Sequence, residues 1–129
     1  MTYGAAQNGN VCVTIDLSRM SVTVREYLDP AERSPYARWF HSLNAPAAAK
    51  VATALYRLEL GNFSNVKGVG AGVYECKIDF GPGYRVYFGK ERERLVILLG
   101  GSSKKGQQAA IDAAQRAWAV YKRAKPEAR

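Results

Sequence analysis

Four side chains with useful chemistry fall at alternating positions in two neighbouring stretches: Glu75 and Lys77 in VYECKIDF, and Arg85 and Tyr87 in YRVYFG. Successive side chains on a strand point to opposite faces, so Tyr74, Cys76, Ile78 and Phe80 share one face while Glu75, Lys77 and Asp79 share the other. The next stretch sorts the same way, with Tyr84, Val86 and Phe88 inward and Arg85 and Tyr87 outward. A hairpin closing around Gly81-Pro82-Gly83 then sets Glu75, Lys77, Arg85 and Tyr87 on one solvent-facing patch. Metal-free scission of RNA needs such a set: a group that helps deprotonate a 2′-hydroxyl, a cation for the phosphate oxygens, and an acid for the leaving 5′-oxygen. Arg85 suits the phosphate because its planar fork grips two oxygens and never loses its charge. Lys77 would add electrostatic stabilisation, Glu75 would act as base or hold Arg85 in position, and Tyr87 would stack on a base. Spacing alone is better described by an exposed sheet face laced with cross-strand ion pairs, which is common and of little energetic consequence.

The charge balance is compatible with a polyanionic partner. Of 129 residues, 19 are Lys or Arg and 11 Asp or Glu, a formal net charge of +8. Residues 1–60 hold 6 basic and 5 acidic side chains, residues 61–129 hold 13 and 6, so the excess sits in the second half. A localised positive surface draws in phosphates over long range, although a merely solvated surface has the same composition. Cys12 and Cys76 are far apart and His41 is the one histidine, which argues against a disulfide scaffold, a thiolate zinc site or a histidine metal site. No metal or cofactor is expected. No apolar run approaches the ~20 residues that span a bilayer, and Met1 to Gly4 lack a basic n-region. A cytoplasmic protein without membrane contact is the expectation.

The elements that must position the four residues follow from periodicity. Residues 1–10 read as a loose tail, and Val11, Val13, Ile15 and Leu17 alternate as a short, isolated strand would. Met20 is an alternative start. Val22 to Tyr27 is a β-favouring run stopped by Asp29-Pro30. Ser34-Pro35 opens a short helix carrying Tyr36, Trp39, Phe40 and Leu43, and Ala47 to Leu60 forms a second, closed by Gly61. A glycine-bearing connection with Lys67 leads to three strands: Val73 to Phe80, Tyr84 to Gly89 and, after the charged turn Lys90 to Arg94, Leu95 to Leu99. The last is apolar at every position and reads as buried on both faces, hence interior in the sheet. Gly100 to Gly106 reads as a basic loop before a final helix, Gln107 to Ala124, burying Ile111, Ala114, Trp118 and Tyr121. The expected architecture is one α/β (α+β) domain, β-α-α-β-β-β-α, its antiparallel-rich sheet carrying helices on one face. Residues 1–19 are expected to be a flexible extension, 20–124 the domain and 125–129 a tail. His41, within the first helix, reads as a surface or helix-packing residue, Trp118 and Tyr121, at helical spacing, as core or antitoxin-contact residues, and Gly81-Pro82-Gly83 as a hairpin turn rather than a phosphate loop.

The segment LGNFSNVKGVGAGVYECKIDFGPGYRVYF, followed by LVILLGG, strongly resembles the HigB-like addiction-module killer branch of the RelE/ParE toxin superfamily. VREYLDPAERSPYARWFHSL upstream and QQAAIDAAQRAW downstream are similar to the same family, so the resemblance runs from about Met20 to Trp118. It implies a compact domain resembling microbial ribonucleases that enters the ribosomal A site and cuts translated mRNA without a metal. Arg85 would contact the scissile phosphate, Lys77 and Glu75 would match the basic and acidic positions of the preceding strand, and Lys67 the lysine in the loop before the strands. Lys104 and Lys105 would supply a further contact. Here the sequence departs from the branch, with Gly-Gly-Ser-Ser-Lys-Lys where an acidic residue and a single lysine are usual. The implied partners are the ribosome with its mRNA and a cognate antitoxin of helix-turn-helix, HigA-like type, with operator DNA bound only through that complex. The alternatives are a non-catalytic relic that binds RNA or DNA, and a protein serving only a complex with its antitoxin.

Overall fold

The computed structural model describes residues 2–8, 11–16 and 21–124, with side chains from residue 21 onward. Met20, Leu17 and the tail 125–129 lie outside the described residues. Thr2–Asn8 (β1) pairs antiparallel with Val11–Asp16 (β2) in a two-stranded sheet of its own. The alternation from Val11 marked β2. Its partner, TYGAAQN, has no apolar alternation to announce it.

The remaining strands form one sheet in the order β3-β7-β6-β5-β4, with β3 (Thr23–Glu26) parallel to β7 (Leu95–Ser103) and every other pair antiparallel. Between β3 and the rest of the sheet run α1 (Pro35–His41) and α2 (Ala45–Glu59). Ser34 Oγ accepts from Ala37 N–H at 2.9 Å, and Asn44 Oδ1 accepts from Ala47 N–H at 2.9 Å, so each helix opens on a side-chain cap with proline in its first turn. Pro46 therefore lies in the first turn of α2. The glycine-bearing connection contains a strand that periodicity did not indicate, β4 (Val66–Gly70), joined to β5 (Val73–Ile78) through Ala71-Gly72. Both turn residues have positive φ, 56° and 82°, the twist a tight two-residue hairpin demands. β6 (Tyr84–Arg92) and β7 run longer than expected: most of the charged turn is strand, and of the basic loop Gly100 to Ser103 is strand and Lys104–Gly106 a 3-10 turn leading into α3 (Gln107–Ala124).

The α/β class holds, but the helices do not share one face of the sheet. α1 and α2 cover the face bearing Cys76, Ile78, Val86, Phe88, Val96 and Leu98. α3 covers the opposite face, where Ile111, Ala114 and Trp118 pack on Val73, Tyr87, Ile97 and Leu99. The uninterrupted apolar run of β7 requires this, since its alternate residues enter two separate cores. Helix and sheet approach closely on both sides. A Cβ at Gly89 would come within 2.5 Å of the Trp118 ring, and one at Gly101 would overlap the Trp39 ring.

Candidate functional site

The register across the sheet assembles the expected residues on one face. Lys67 of β4 pairs with Glu75 of β5, Glu75 with Tyr87 of β6, and Tyr87 with Gly100 of β7. One step along, Lys77 pairs with Arg85 and Arg85 with Ser102. Directly opposed residues lie on the same side of a sheet, so Lys67, Glu75, Lys77, Arg85, Tyr87 and Ser102 form one group.

Their environment is not the solvent-facing patch that alternation implied. Glu75 is 1% exposed, Arg85 7% and Tyr87 0%, because α3 lies over this face. Tyr87 thus has no free ring face on which a base could stack; its hydroxyl instead lies 3.1 Å from Ser102 Oγ. Burial, opposed by that hydrogen bond, raises the Tyr87 pKa above its ordinary value. On the other side of the same strand pair, burial pushes the Cys76 thiol from 9.0 to about 11.

The Glu75 carboxylate is tied at both oxygens. Oε1 accepts a hydrogen bond from Gln107 Nε2 at 2.9 Å, and Oε2 lies 3.5 Å from Arg85 Nε and 4.0 Å from Lys67 Nζ. The Arg85 contact is an ion pair without hydrogen-bond geometry: Arg85 Nε and Nη1 are both buried and find no hydrogen-bond partner. Unpaired buried donors on a charged group are costly, and a site that holds them so is poised for an anionic acceptor. Around this buried centre stand exposed lysines: Lys67, its side chain 69% exposed, and Lys77. Lys104 N–H donates to Gly83 O at 3.0 Å, and a Cβ at Gly83 would touch both Arg85 Nη1 and Lys104 Cβ. The hairpin turn therefore sets Lys104 beside Arg85. Lys105 is exposed on the same 3-10 turn, without such a link.

Two members of the site were not foreseen. Ser102 falls in a stretch that reads as loop, and Gln107 stands in the sequence only as the first residue of the last helix; the register of β7 and the path of α3 bring them in. His41 is exposed on α1, its ring beside Phe40, on the opposite side of the sheet. Trp118 and Tyr121 stack at 5.3 Å within the α3 core, and the Tyr121 hydroxyl donates to Glu91 at 2.7 Å. Among the described residues, no three His, Cys, Asp or Glu side chains are placed to hold a metal ion, and no helix is long and apolar enough to cross a membrane.

No family model matches the sequence. A Haemophilus influenzae protein, itself described as uncharacterized, is 42% identical over 78 residues, which span 60% of this chain and 79% of that protein. In three dimensions the chain is similar to one in the crystal structure of the RelBE2 toxin-antitoxin complex of Mycobacterium tuberculosis. The TM-score is 0.50 at 19% identity, over 65% of this chain and 99% of the other. The chain therefore belongs to one family with the Haemophilus protein, and its sheet and helices take the RelE-like toxin fold.

Proposed function

We propose that the protein is the toxin of a toxin-antitoxin module, an endoribonuclease of HigB-like type that cuts mRNA on the ribosome without a metal and is held in check by a cognate antitoxin. The observation that carries this reading is Arg85: a buried guanidinium with two unpaired donors, backed by a buried carboxylate and ringed by Lys67, Lys77 and Lys104. A phosphodiester entering among the lysines supplies the acceptors that Arg85 lacks. The neighbour in the structural comparison is itself a toxin-antitoxin complex, which supports an antitoxin as partner. A helix-turn-helix, HigA-like antitoxin that alone brings the pair to operator DNA, and a cytoplasmic setting, complete the reading and rest on the family resemblance.

In the proposed reaction the 2′-oxygen bonds to the adjacent phosphorus and the bond to the 5′-oxygen breaks, giving a cyclic phosphate and a free 5′-hydroxyl. The 2′-hydroxyl proton passes to a base and the 5′-oxygen receives one from an acid. Arg85 stabilises the charge that develops on the non-bridging oxygens, and Lys77, directly opposite it, adds to that field. Glu75, enclosed by Gln107, Arg85 and Lys67, acts by holding Arg85 in place, as its burial keeps it from the 2′-hydroxyl. Lys67 and Lys104, exposed at the rim, bind flanking phosphates, with Lys105 outside them.

One observation favours a second reading, a relic that binds RNA without cutting it: Glu75 is buried and His41 lies across the sheet, so neither is an accessible base beside Arg85. Induced expression of wild type, Arg85→Ala and Lys77→Ala, with mapping of 5′ ends in ribosome-bound transcripts, separates the two. New ends with wild type that vanish with Arg85→Ala support the nuclease; identical maps for all three proteins refute it.

A further inference from the structure

On the far side of the β5 edge from Arg85 lies a polar cleft of about 310 Å³. One wall is a single face of α2, from which Lys50, Thr53 and Arg57 come at helical spacing; the other is the Asn62 to Asn65 loop. Its floor is the end of β5 and the residue after it, residues 76–79. The loop is set rather than slack, since Asn62 Oδ1 accepts from Ser64 N–H at 3.0 Å and Asn65 O accepts from Lys77 N–H at 3.1 Å. Lys50 Nζ rests over the Phe80 ring at 5.5 Å. Among the described residues no ion pair engages Lys50, Arg57 or Lys77, so three cations border the cleft against one carboxylate, Asp79.

Position gives this cleft its meaning. β4 covers the outer edge of β5 as far as the Val66–Cys76 pair, the Asn65 carbonyl takes the N–H of Lys77, and beyond Lys77 no strand pairs with that edge. Lys77 stands at that limit: by alternation its side chain shares the Arg85 face, while its neighbours Cys76 and Ile78 turn toward α2. A polynucleotide leaving the Arg85 face across this open edge passes from one basic surface to the next over the thickness of one strand.

We infer that the cleft between α2 and the Asn62 to Asn65 loop is a second phosphate subsite, which grips single-stranded RNA flanking the segment bound at Arg85. Lys50 and Arg57 take the phosphate oxygens, while Thr53, Ser64 and the Asn62 amide are available to the sugar edge. This inference rests on the RNA-directed reading of the Arg85 face but does not require that RNA be cut there.

The test is binding of labelled single-stranded RNA to the full chain. It compares an oligonucleotide just long enough for the Arg85 face with one several nucleotides longer, across a salt series. The longer RNA should bind wild type more tightly and with a steeper salt dependence. Lys50→Gln/Arg57→Gln should remove that advantage, weakening the longer RNA roughly tenfold and flattening its log–log salt slope by ~1.4, about 0.7 for each phosphate no longer neutralised. The shorter RNA should bind unchanged. Both side chains are exposed, so thermal melting should not move, and the charge-keeping Lys50→Arg/Arg57→Lys should restore the advantage. A double Gln variant that keeps the full length advantage and slope overturns the subsite, as does a wild type that binds neither RNA. A wild type that shows the length effect yet leaves transcripts intact on ribosomes refutes the nuclease and leaves the subsite standing.

Discussion

The two faces of the central sheet are built from the same strands and solve opposite problems. Toward α1 and α2 every buried strand residue is apolar, with Phe88 stacked on Tyr74 and edge-on to Phe63. Toward α3 the apolar packing of Tyr87, Ile97 and Leu99 on Trp118 gives way to Glu75, Arg85 and Ser102, all buried. Burying that carboxylate and guanidinium costs desolvation that their attraction repays only in good geometry, and here Arg85 keeps two donors unpaired. The buried strand residues of the first face are arranged for stability alone. The other face gives some stability up to hold a cation whose donors have no partner within the chain, which is the physical mark of a site.

Removing one group from each face sharpens the contrast. Glu75→Ala leaves Arg85 buried without a counter-charge and should cost about 3–5 kcal/mol, while Phe88→Ala should cost a similar 3–5 kcal/mol through its cavity. In urea denaturation at low and high phosphate the two should part: added phosphate should recover stability for Glu75→Ala, by pairing with Arg85, and not for Phe88→Ala. Equal responses would erase the distinction between the faces. Tyr87→Phe should lose a smaller ~1–3 kcal/mol, because it leaves Ser102 Oγ unpaired beneath α3; no loss by the same titration would mean the polar pair contributes nothing.

Alkaline pH probes the apolar face through Cys76 and Tyr36, and the α3 face through Tyr87, whose pKa is also raised by burial. Cys76 is raised from 9.0 to about 11 and Tyr36 from 10.0 to about 12, both chiefly by burial. The unfolded chain therefore releases these protons first, so their contribution is complete below pH 9 and is lost as pH rises toward 12. Stability followed by denaturation at successive pH values should fall across that window, and Tyr36→Phe should remove the upper part of the fall. The smallest effect is expected from deleting residues 1–19, which we propose to be an extension to the domain: a change below about 1 kcal/mol in the same assay. A larger loss would make the β1–β2 pair part of the fold.

Much of this comparison was legible in the sequence. Alternation grouped Glu75, Lys77, Arg85 and Tyr87, and the Gly81-Pro82-Gly83 hairpin pairs them as that grouping required. What alternation cannot tell is whether a polar face meets water or a helix. The signal lay elsewhere, in the apolar run Leu95 to Leu99, which needs cover on both sides and so already implied a helix over the polar group. β4 was hidden because VKGVG is short, glycine-rich and at an edge, where pairing with β5 and not side-chain pattern makes the strand. Gln107 and Ser102 join the site across long separations in sequence, through contacts that no local pattern encodes.

The central claim is that Arg85 presents a phosphodiester for attack by its own 2′-hydroxyl. Ribosomes programmed with an mRNA carrying a single 2′-deoxy nucleotide at the mapped cleavage point, incubated with the purified protein and chelator, test it most directly. The account predicts that the all-ribose message is cut, that the 2′-deoxy message is not cut at that bond, and that Arg85→Ala cuts neither. Undiminished cleavage at the 2′-deoxy position, or equal cleavage by Arg85→Ala, would contradict it.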